Sequence, residues 1–297
     1  MNLAPIVLFV YNRPEHTRKT VESLKSNELA EYSDLIIYSD GPIDEHVFLS
    51  VNAVRDYLKT VVGFNSVVII EREFNIGLAA NIIDGVTTVV NKYGKVIVLE
   101  DDIITSPVFL TFMNRALAFY ENESRVWHIS GWNYPINPDG LGDTFLLRIM
   151  NCWGWASWAD RWVKYEKSPQ KLIIEFSSQQ RSQFDLDDSG VFWSQIVDNA
   201  KGKIDTWAIF WYATIFRHNG LCLNPAHTFI RNIGHDGSGI HCTDSKSSQC
   251  MNLSELGQAS FPTDIIENET AVLRIKNLIK KKSYLAKLKI WIRNICI

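Results

Sequence analysis

The stretch Val96-Ile97-Val98-Leu99-Glu100-Asp101-Asp102 joins four apolar residues directly to three carboxylates. A continuous apolar run of this length is typical of a strand that is buried on both faces of a parallel sheet. Carboxylates packed this closely repel one another, so a cation is their natural partner. Carboxylate oxygens suit Mg²⁺ or Mn²⁺, which usually keep coordination positions open for substrate phosphates. The stretch therefore predicts a buried strand that ends at a metal and phosphate site.

A helix cap is the alternative interpretation of the acidic cluster. Ser106-Pro107 has the residue types preferred at the N-cap and the first position of a helix, and helix N-termini favour nearby negative charge. A cap would explain one acid, but it explains three consecutive acids at a strand end less well.

The residues before and after this strand alternate between apolar runs and amphipathic segments. We predict strands at 5–10, 35–39, 67–70 and 96–99, and helices at 14–26, 44–62, 78–91 and 108–120. Repeated β-α-β units of this kind imply a parallel sheet with helices on both faces. The expected fold class is therefore α/β, with a Rossmann-like, mostly parallel sheet and a less regular second half.

Polar groups follow three of the predicted strands, and ligands bind at this edge of open α/β sheets. Arg13 follows the first strand and has a planar guanidinium that can pair with phosphate or stack on a base, although it could also simply open a helix. Asp40 could accept hydrogen bonds from a base or ribose, or it could be an ordinary turn residue. Asn75, two residues before Gly77, brings backbone close to the same crevice, and Gly77 could equally start a helix.

The second half of the chain is rich in aromatic residues and ends in a basic segment. The chain of 297 residues contains 10 Trp, 10 Tyr and 15 Phe, and such residues often line grooves as well as cores. Residues 207–217 are predicted to form a core helix. Residues 274–293 carry eight Lys and Arg residues with no acid among them, which predicts an amphipathic membrane-surface segment or a helix packed on its own domain.

Cysteine usage and the termini indicate a protein of the cytoplasm. The five cysteines form no CxxC pair and no zinc-like spacing, which predicts reduced thiols. The N-terminus has no signal-peptide pattern, and no apolar run is long enough to span a membrane. The net charge is −3, and the eight positive charges of the tail leave the rest of the chain near −11, which argues against a nucleic-acid-binding body.

The chain resembles nucleotide-sugar glycosyltransferases of the GT-A fold in four motifs, which follow one another along the chain in the order found in that family. The motifs are Phe9–Pro14, Ser39-Asp40-Gly41, Leu99–Asp102 and Trp153-Gly154-Trp155. The resemblance covers residues 5–242 and is greatest to the N-acetylglucosaminyltransferase I and protein-O-mannose N-acetylglucosaminyltransferase group and related bacterial sugar transferases. It implies a catalytic domain over 1–262, with a nucleotide-sugar-binding half (1–130) and an acceptor-side half (131–262), followed by the basic tail (263–297).

The resemblance also implies roles for individual residues. Arg13 and Asp40 would bind the uracil or phosphate of a UDP-sugar, Glu100 and Asp101 would lie by the ribose and the sugar, and Asp102 would ligate Mn²⁺ or Mg²⁺. Two further groups are expected, the donor-side residues Asn75 and His235 and the acceptor-side residues Trp153 and Trp155.

The catalytic base of an inverting transferase should be a carboxylate that takes the acceptor proton. In related enzymes this acid precedes a Trp, and Asp205, before Thr206-Trp207, is the nearest match here. Asp236 and Asp160 are the other candidates, and Asp205 could instead cap the helix that starts near Trp207. Asp236 lies with His235 and His241 in a glycine-spaced segment that we expect to close over the donor.

We therefore expect a metal-dependent, inverting hexosyl- or N-acetylhexosaminyltransferase. It would act on a surface glycan or lipid-linked acceptor, in lipopolysaccharide or capsule assembly, at the inner face of a bacterial membrane. A sugar nucleotidyltransferase is one alternative, although residues 9–14 lack the glycines of its phosphate loop. A non-catalytic glycan-binding protein on a degenerate transferase fold is the other, and the three retained acids count against it.

Overall fold

The computed structural model describes residues 3–234 and 252–280. Ten strands are present in these ranges: β1 (Ile6–Val10), β2 (Asp34–Ser39), β3 (Ser66–Glu71), β4 (Lys95–Glu100), β5 (Ile103–Thr105), β6 (Val126–Ser130), β7 (Thr144–Leu147), β8 (Trp155–Trp158), β9 (Leu221–Pro225) and β10 (Ile230–Asn232). Eight of them form one sheet in the order β3-β2-β1-β4-β8-β6-β9-β7, and β5 and β10 form a separate antiparallel ribbon. The predicted first four strands are confirmed to within a residue or two.

Helices cover the sheet and fill the second half of the chain. They are α1 (Pro14–Lys25), α2 (Glu45–Leu58), α3 (Leu78–Tyr93), α4 (Phe109–Phe119), α5 (Ala159–Trp162), α6 (Pro169–Glu175), α7 (Ser178–Phe184), α8 (Trp193–Ala200), α9 (Ala208–Arg217) and α10 (269–280). The four helices predicted for the first half and the core helix near 207–217 are confirmed, with ends that differ by a few residues.

The sheet is mostly parallel, as the sequence predicts. Strands β3, β2, β1 and β4 are parallel, and β6 and β9 run in the same direction, whereas β8 and β7 run in the opposite direction. Side chains of β4 alternate between the two faces, so Val96 and Val98 enter one apolar core while Ile97 and Leu99 enter the other. The fold class is therefore α/β with a Rossmann-like central sheet and helices on both faces.

The order of the strands creates a switch point between β1 and β4. The chain moves outward from β1 to β2 and β3, and then crosses to the other side of β1 to form β4. Connections diverge there, so a crevice opens beyond the carboxyl ends of β1 and β4. Arg13 follows β1 and Glu100 ends β4, so the charged motifs identified in the sequence lie at this crevice.

Neither of the two proposed helix caps is present. Strand β5 separates the acidic cluster from α4, whose N-cap is Val108 without a side-chain cap bond. Ser106 donates its backbone N–H to Phe229 instead, and its buried hydroxyl has no partner among the described residues. Asp205 does not cap α9 either, because Trp207 holds that position. The three acids therefore need an explanation other than helix capping.

The described part of the basic tail packs on the domain. Ala271 and Ile275 of α10 are fully buried in the core that also contains Val96 and Trp155. Lys276 pairs with Asp187. Residues 281–297 lie outside the described residues, so the boundary at 262 and the membrane contact of the tail stay predictions. None of the helices within 3–234 and 252–280 combines the length and the apolar character that a membrane crossing requires.

His128 on β6 lies inside the aromatic core behind β8. Its ring stacks on Trp155 with 5.3 Å between ring centroids. The Nε2–H group donates to the backbone oxygen of Asn151 at 3.0 Å, and Nδ1 accepts from the indole N–H of Trp211 at 3.2 Å. The neutral imidazole ring makes both hydrogen bonds, one as donor and one as acceptor. Burial lowers the pKa of His128 to about 3.

Acidification should therefore destabilise the protein through His128. The unfolded chain binds this proton below about pH 6.5, whereas the folded protein binds it only near pH 3, so stability is full above pH 6.5 and falls as the pH drops through that window. Between pH 6.5 and 4.5 the wild type should lose about 2 kcal/mol more unfolding free energy than His128→Gln, measured by urea denaturation. His227→Gln, at an exposed position, is the control and should follow the wild type. Parallel pH profiles for wild type and His128→Gln would contradict the prediction.

Candidate active site

Arg13 contacts two of the three acids at the switch point. Its Nη2 atom pairs with Asp101 and lies 2.9 Å from Oδ2 of Asp102. The contact is largely shielded from water, because the side chains of Asp101 and Asp102 are 6% and 9% exposed. The parallel pairing of β1 with β4 brings these residues together from positions almost ninety residues apart in the chain.

The acidic cluster carries more negative charge than Arg13 can neutralise. Burial raises the pKa of Glu100 to about 8, and repulsion from Asp102 and Asp101 adds to this effect. Burial also raises the pKa of Asp101 to about 6, although the guanidinium of Arg13 opposes the rise. A second positive charge at this position would lower the cost of keeping all three carboxylates ionised.

A two-stranded ribbon holds Asp102 from the other side. Strands β5 and β10 pair so that Asn232 lies opposite Ile103, and the amide of Asn232 donates to Oδ1 of Asp102 at 3.4 Å. The backbone N–H of Ile233 donates to the Asp102 carbonyl at 2.8 Å. Gly234 lies so close that a Cβ atom there would overlap the Asp102 carboxylate. Asn232 and Gly234 were not chosen from the sequence, although they open the glycine-spaced segment.

The donor groups at Asp102 fit a divalent ion that binds with few protein ligands. Within residues 3–234 and 252–280 no three His, Cys, Asp or Glu side chains are grouped as a metal site. Asp102 offers two hard carboxylate oxygens, which Arg13 and Asn232 contact in this structure. Mg²⁺ and Mn²⁺ accept such a site, since water and phosphate oxygens can complete their coordination.

Asp40 and Asn75 join two loops at the same edge of the sheet. Oδ1 of Asp40 accepts from the backbone N–H groups of Gly41 and Ile76 at 2.9 and 3.0 Å, and Oδ2 accepts from that of Gly77 at 3.0 Å. The amide of Asn75 donates to the carbonyl of Gly41 at 2.8 Å. Both residues therefore fasten the loop after β3 to the loop after β2. Their contact with a nucleotide stays a prediction, and Oδ2 of Asp40, which accepts one hydrogen bond, retains an acceptor site for it.

The two predicted acceptor-side tryptophans lie in different environments. Trp155 is 1% exposed and stacks between His128 and Trp207, with ring centroids 5.3 Å from each. It belongs to the core, so direct contact between Trp155 and an acceptor is not supported by this conformation. Trp153 is only partly buried and lines a cavity beside the ends of β6 and β8.

The two candidate catalytic bases within the described residues lie in different parts of the structure. Asp160 follows β8, where Trp158 pairs with Lys95 at the start of β4, so it lies at the edge of the sheet opposite the acidic cluster. Asp205 is an exposed residue that pairs with Lys167, two positions before the Trp207 ring that stacks on Trp155. His235, Asp236 and His241 lie outside the described residues. Asp205 and Asp236 therefore stay predictions, and Asp160 is unsuitable.

Comparison with known proteins gives structural neighbours only. No protein-family model and no curated protein sequence matches the chain. A mannosyltransferase from Pyrobaculum calidifontis, PcManGT, in complex with GDP-mannose and Mn²⁺, is 13% identical over 54% of this chain and 48% of its own, with a TM-score of 0.37. Residues 1–349 of TarS from S. aureus are 10% identical over 52% of this chain and 47% of that one, with a TM-score of 0.35. The matches thus span about half of each neighbour, and similarity of this extent does not determine the activity of the chain.

Proposed function

We propose that the protein is a metal-dependent glycosyltransferase that uses a nucleoside-diphosphate sugar, with a UDP-sugar as the first donor to test. The observation that carries the proposal is the contact of Arg13 with Asp101 and Asp102 at the switch point between β1 and β4. A carboxylate for a divalent ion and a guanidinium for a phosphate are side by side there, in the crevice where α/β sheets bind nucleotides. The expected acceptor is a hydroxyl of a bacterial surface glycan or a lipid-linked glycan, reached from the cytoplasmic face of the membrane.

The residues of the crevice suit the departure of a nucleoside diphosphate. Asp102 would hold Mn²⁺ or Mg²⁺. The bound ion would neutralise the negative charge that develops on the leaving diphosphate. Arg13 binds a phosphate oxygen with the guanidinium that now pairs with the acids. Asp101 and Glu100 would lie beside the ribose and the sugar, and Asp40 keeps the wall formed by the loops after β2 and β3 in place.

The transfer itself exchanges one bond at the anomeric carbon. The acceptor oxygen forms a bond to that carbon from the face opposite the phosphate, and the bond from the carbon to the phosphate oxygen breaks. The electron pair leaves with the nucleoside diphosphate, and the acceptor proton moves to a carboxylate, for which we propose Asp205 or Asp236. In a sugar nucleotidyltransferase, a phosphate oxygen of a sugar 1-phosphate would instead attack the α-phosphorus of a nucleoside triphosphate and displace pyrophosphate. The two reactions therefore differ in their products, which are a glycoside and a nucleoside diphosphate in the first case and a nucleotide sugar and pyrophosphate in the second.

Calorimetric titration with UDP, with and without Mn²⁺, tests the proposal. We expect wild type to bind UDP in the presence of Mn²⁺, and Asp102→Asn to lose about 100-fold or more in affinity, because the variant loses the charged metal ligand. GDP in the same titration reports which base the crevice accepts.

Asp56→Asn is the matched control, because this exposed acid lies on α2, where it pairs with Lys59, and its replacement should leave UDP affinity unchanged. Equal UDP affinity for wild type and Asp102→Asn would contradict the metal site. Absence of binding by any nucleoside diphosphate in the presence of Mn²⁺ would contradict the proposed donor class.

A further inference from the structure

Arg13 contacts Asp101 and Asp102 unequally. Its Nη2 atom donates to both carboxylates, and its Nε atom also donates to Oδ2 of Asp101, at 3.5 Å. Asp101 therefore receives hydrogen bonds from two nitrogens of the guanidinium, whereas Asp102 receives one, at 2.9 Å. Carboxylates that engage two nitrogens of a guanidinium hold it more strongly and in a fixed orientation. The guanidinium can thus give up Asp102 and keep its contact with Asp101.

The contact with Asp102 occupies an oxygen that a metal ion would need. Oδ1 of Asp102 accepts from the amide of Asn232 at 3.4 Å, and Oδ2 accepts from Arg13. A Cβ atom at Gly234 would lie 2.2 Å from Oδ2, so the backbone at Gly234 packs against the same oxygen. Two cations on one carboxylate repel each other strongly where water is largely excluded. Arg13 and a divalent ion therefore compete for Oδ2 of Asp102.

The two acids are held through their backbone, so the guanidinium is the part that can move. The carbonyl of Asp101 accepts from the buried hydroxyl of Thr20 at 2.8 Å. The carbonyl of Asp102 accepts from the backbone N–H of Ile233, also at 2.8 Å. Arg13 carries its charge at the end of a long side chain with several rotatable bonds, and this side chain is 19% exposed. A change in the pairing of the cluster is therefore expected at the side chain of Arg13.

We propose that Asp101 is the positioning residue for Arg13, and that Arg13 leaves Oδ2 of Asp102 for a phosphate oxygen of the donor when a divalent ion takes that oxygen. The identity of the phosphate ligand rests on the proposed function, whereas the exchange at Asp102 rests on the contacts of the cluster. Release of Asp102 by Arg13 frees an oxygen for the ion and an N–H group for the phosphate. Each of the two ligands should therefore raise the affinity of the protein for the other.

Nitrogen-15 NMR of the arginine side chains tests the exchange in the wild-type protein. Rotation of the guanidinium interchanges Nη1 and Nη2, and it is slow while Nη2 is held by two carboxylates. We expect saturating Mg²⁺, without nucleotide, to speed this rotation in Arg13 by about tenfold, because one charge-assisted hydrogen bond is lost. Arg13→Lys assigns the signals. Arg55 on α2 is the internal control, because its Nη2 atom donates to the Arg72 carbonyl at 2.7 Å, and its rotation should not change.

The affinity for Mn²⁺, with and without saturating UDP, tests the coupling. Electron paramagnetic resonance of the free ion gives both Kd values, and their ratio measures how far UDP tightens metal binding. We expect Arg13→Met to bind Mn²⁺ alone more tightly than the wild type and to lower the ratio by about tenfold. Asp101→Asn should lower the ratio too, without tightening the binding of Mn²⁺ alone, because Arg13 still competes for Asp102. Arg18→Met, at an exposed salt bridge, should keep the wild-type ratio.

The outcomes separate this inference from the proposed function. Rotation of Arg13 that is unchanged or slower, in protein that binds Mg²⁺ and UDP, would overturn the exchange and leave the proposed function intact. Equal ratios for wild type and Arg13→Met would overturn the coupling. Faster rotation in protein that binds no nucleoside diphosphate would support the exchange and contradict the proposed donor. Failure to bind Mg²⁺ or Mn²⁺, with or without UDP, would overturn both proposals.

Discussion

Replacing Arg13 with methionine is expected to lower the free energy of unfolding by about 3–5 kcal/mol at pH 8, because the change leaves buried carboxylates without their cation. Arg13 is 19% exposed and contacts both Asp101 and Asp102. The loss should be smaller at pH 5. The pKa of Asp101 is about 6 even with Arg13 present and that of Glu100 is about 8, so without Arg13 these two carboxylates bind protons at acid pH and their unpaired charge disappears.

Mn²⁺ should reverse the effect of the Arg13 substitution. A divalent ion at Asp102 restores positive charge to the cluster, so millimolar Mn²⁺ should stabilise Arg13→Met more than the wild type. Urea denaturation gives the free energy of unfolding of each protein at pH 8 and at pH 5, with and without Mn²⁺. Arg18→Met is the matched control, since Arg18 lies on α1, the helix that directly follows Arg13, and its salt bridge to Glu15 is exposed, so little change is expected there. A loss in Arg13→Met that neither acid nor Mn²⁺ reduces would contradict this account of the cluster.

Replacing Trp155 with alanine is expected to cost about 3–5 kcal/mol of unfolding free energy, independently of Mn²⁺. Its ring is 1% exposed and stacks on His128 and Trp207, so truncation leaves a cavity at the centre of the larger core cluster. Urea denaturation at pH 7.5 measures the loss, and Trp155→Phe, which keeps an aromatic ring, should lose clearly less.

Trp132→Ala is the comparison that distinguishes a core tryptophan from a partly exposed one. Trp132 is partly exposed, so its truncation should destabilise the protein much less than that of Trp155. If the two alanine variants were equally stable, Trp155 would not be the core residue that its burial indicates, and its role at the acceptor side would need to be reconsidered.

The first half of the fold could be predicted because three of its four sheet strands, β1, β2 and β4, are buried on both faces. Runs such as Val96–Leu99 are apolar at every position, and the helices between them show a regular apolar face. The carboxyl ends of parallel strands meet at one edge, so Arg13 and the acidic cluster could be placed in one crevice before their contact was seen.

The parts that could not be predicted depend on contacts that leave no local pattern. Strand β8 inserts antiparallel between β4 and β6, and its four residues carry no sign of that position. Gly154 has a positive φ of 60°, so it interrupts the alternation of side chains, and Trp153 and Trp155 do not share a face. The pairing of Asn232 with Asp102 depends on the register of β10 on β5, which joins segments more than a hundred residues apart.

The three hydrogen bonds to the Asp40 carboxylate have a consequence for ligand affinity. They fix the backbone at Gly41, Ile76 and Gly77 before any ligand arrives. Ordering a loop on binding costs conformational entropy, and a wall that is already ordered does not add this cost to the free energy of association. This side of the crevice is therefore preorganised, and its three amide protons should exchange with solvent as one slow group, at the same rate with and without nucleotide.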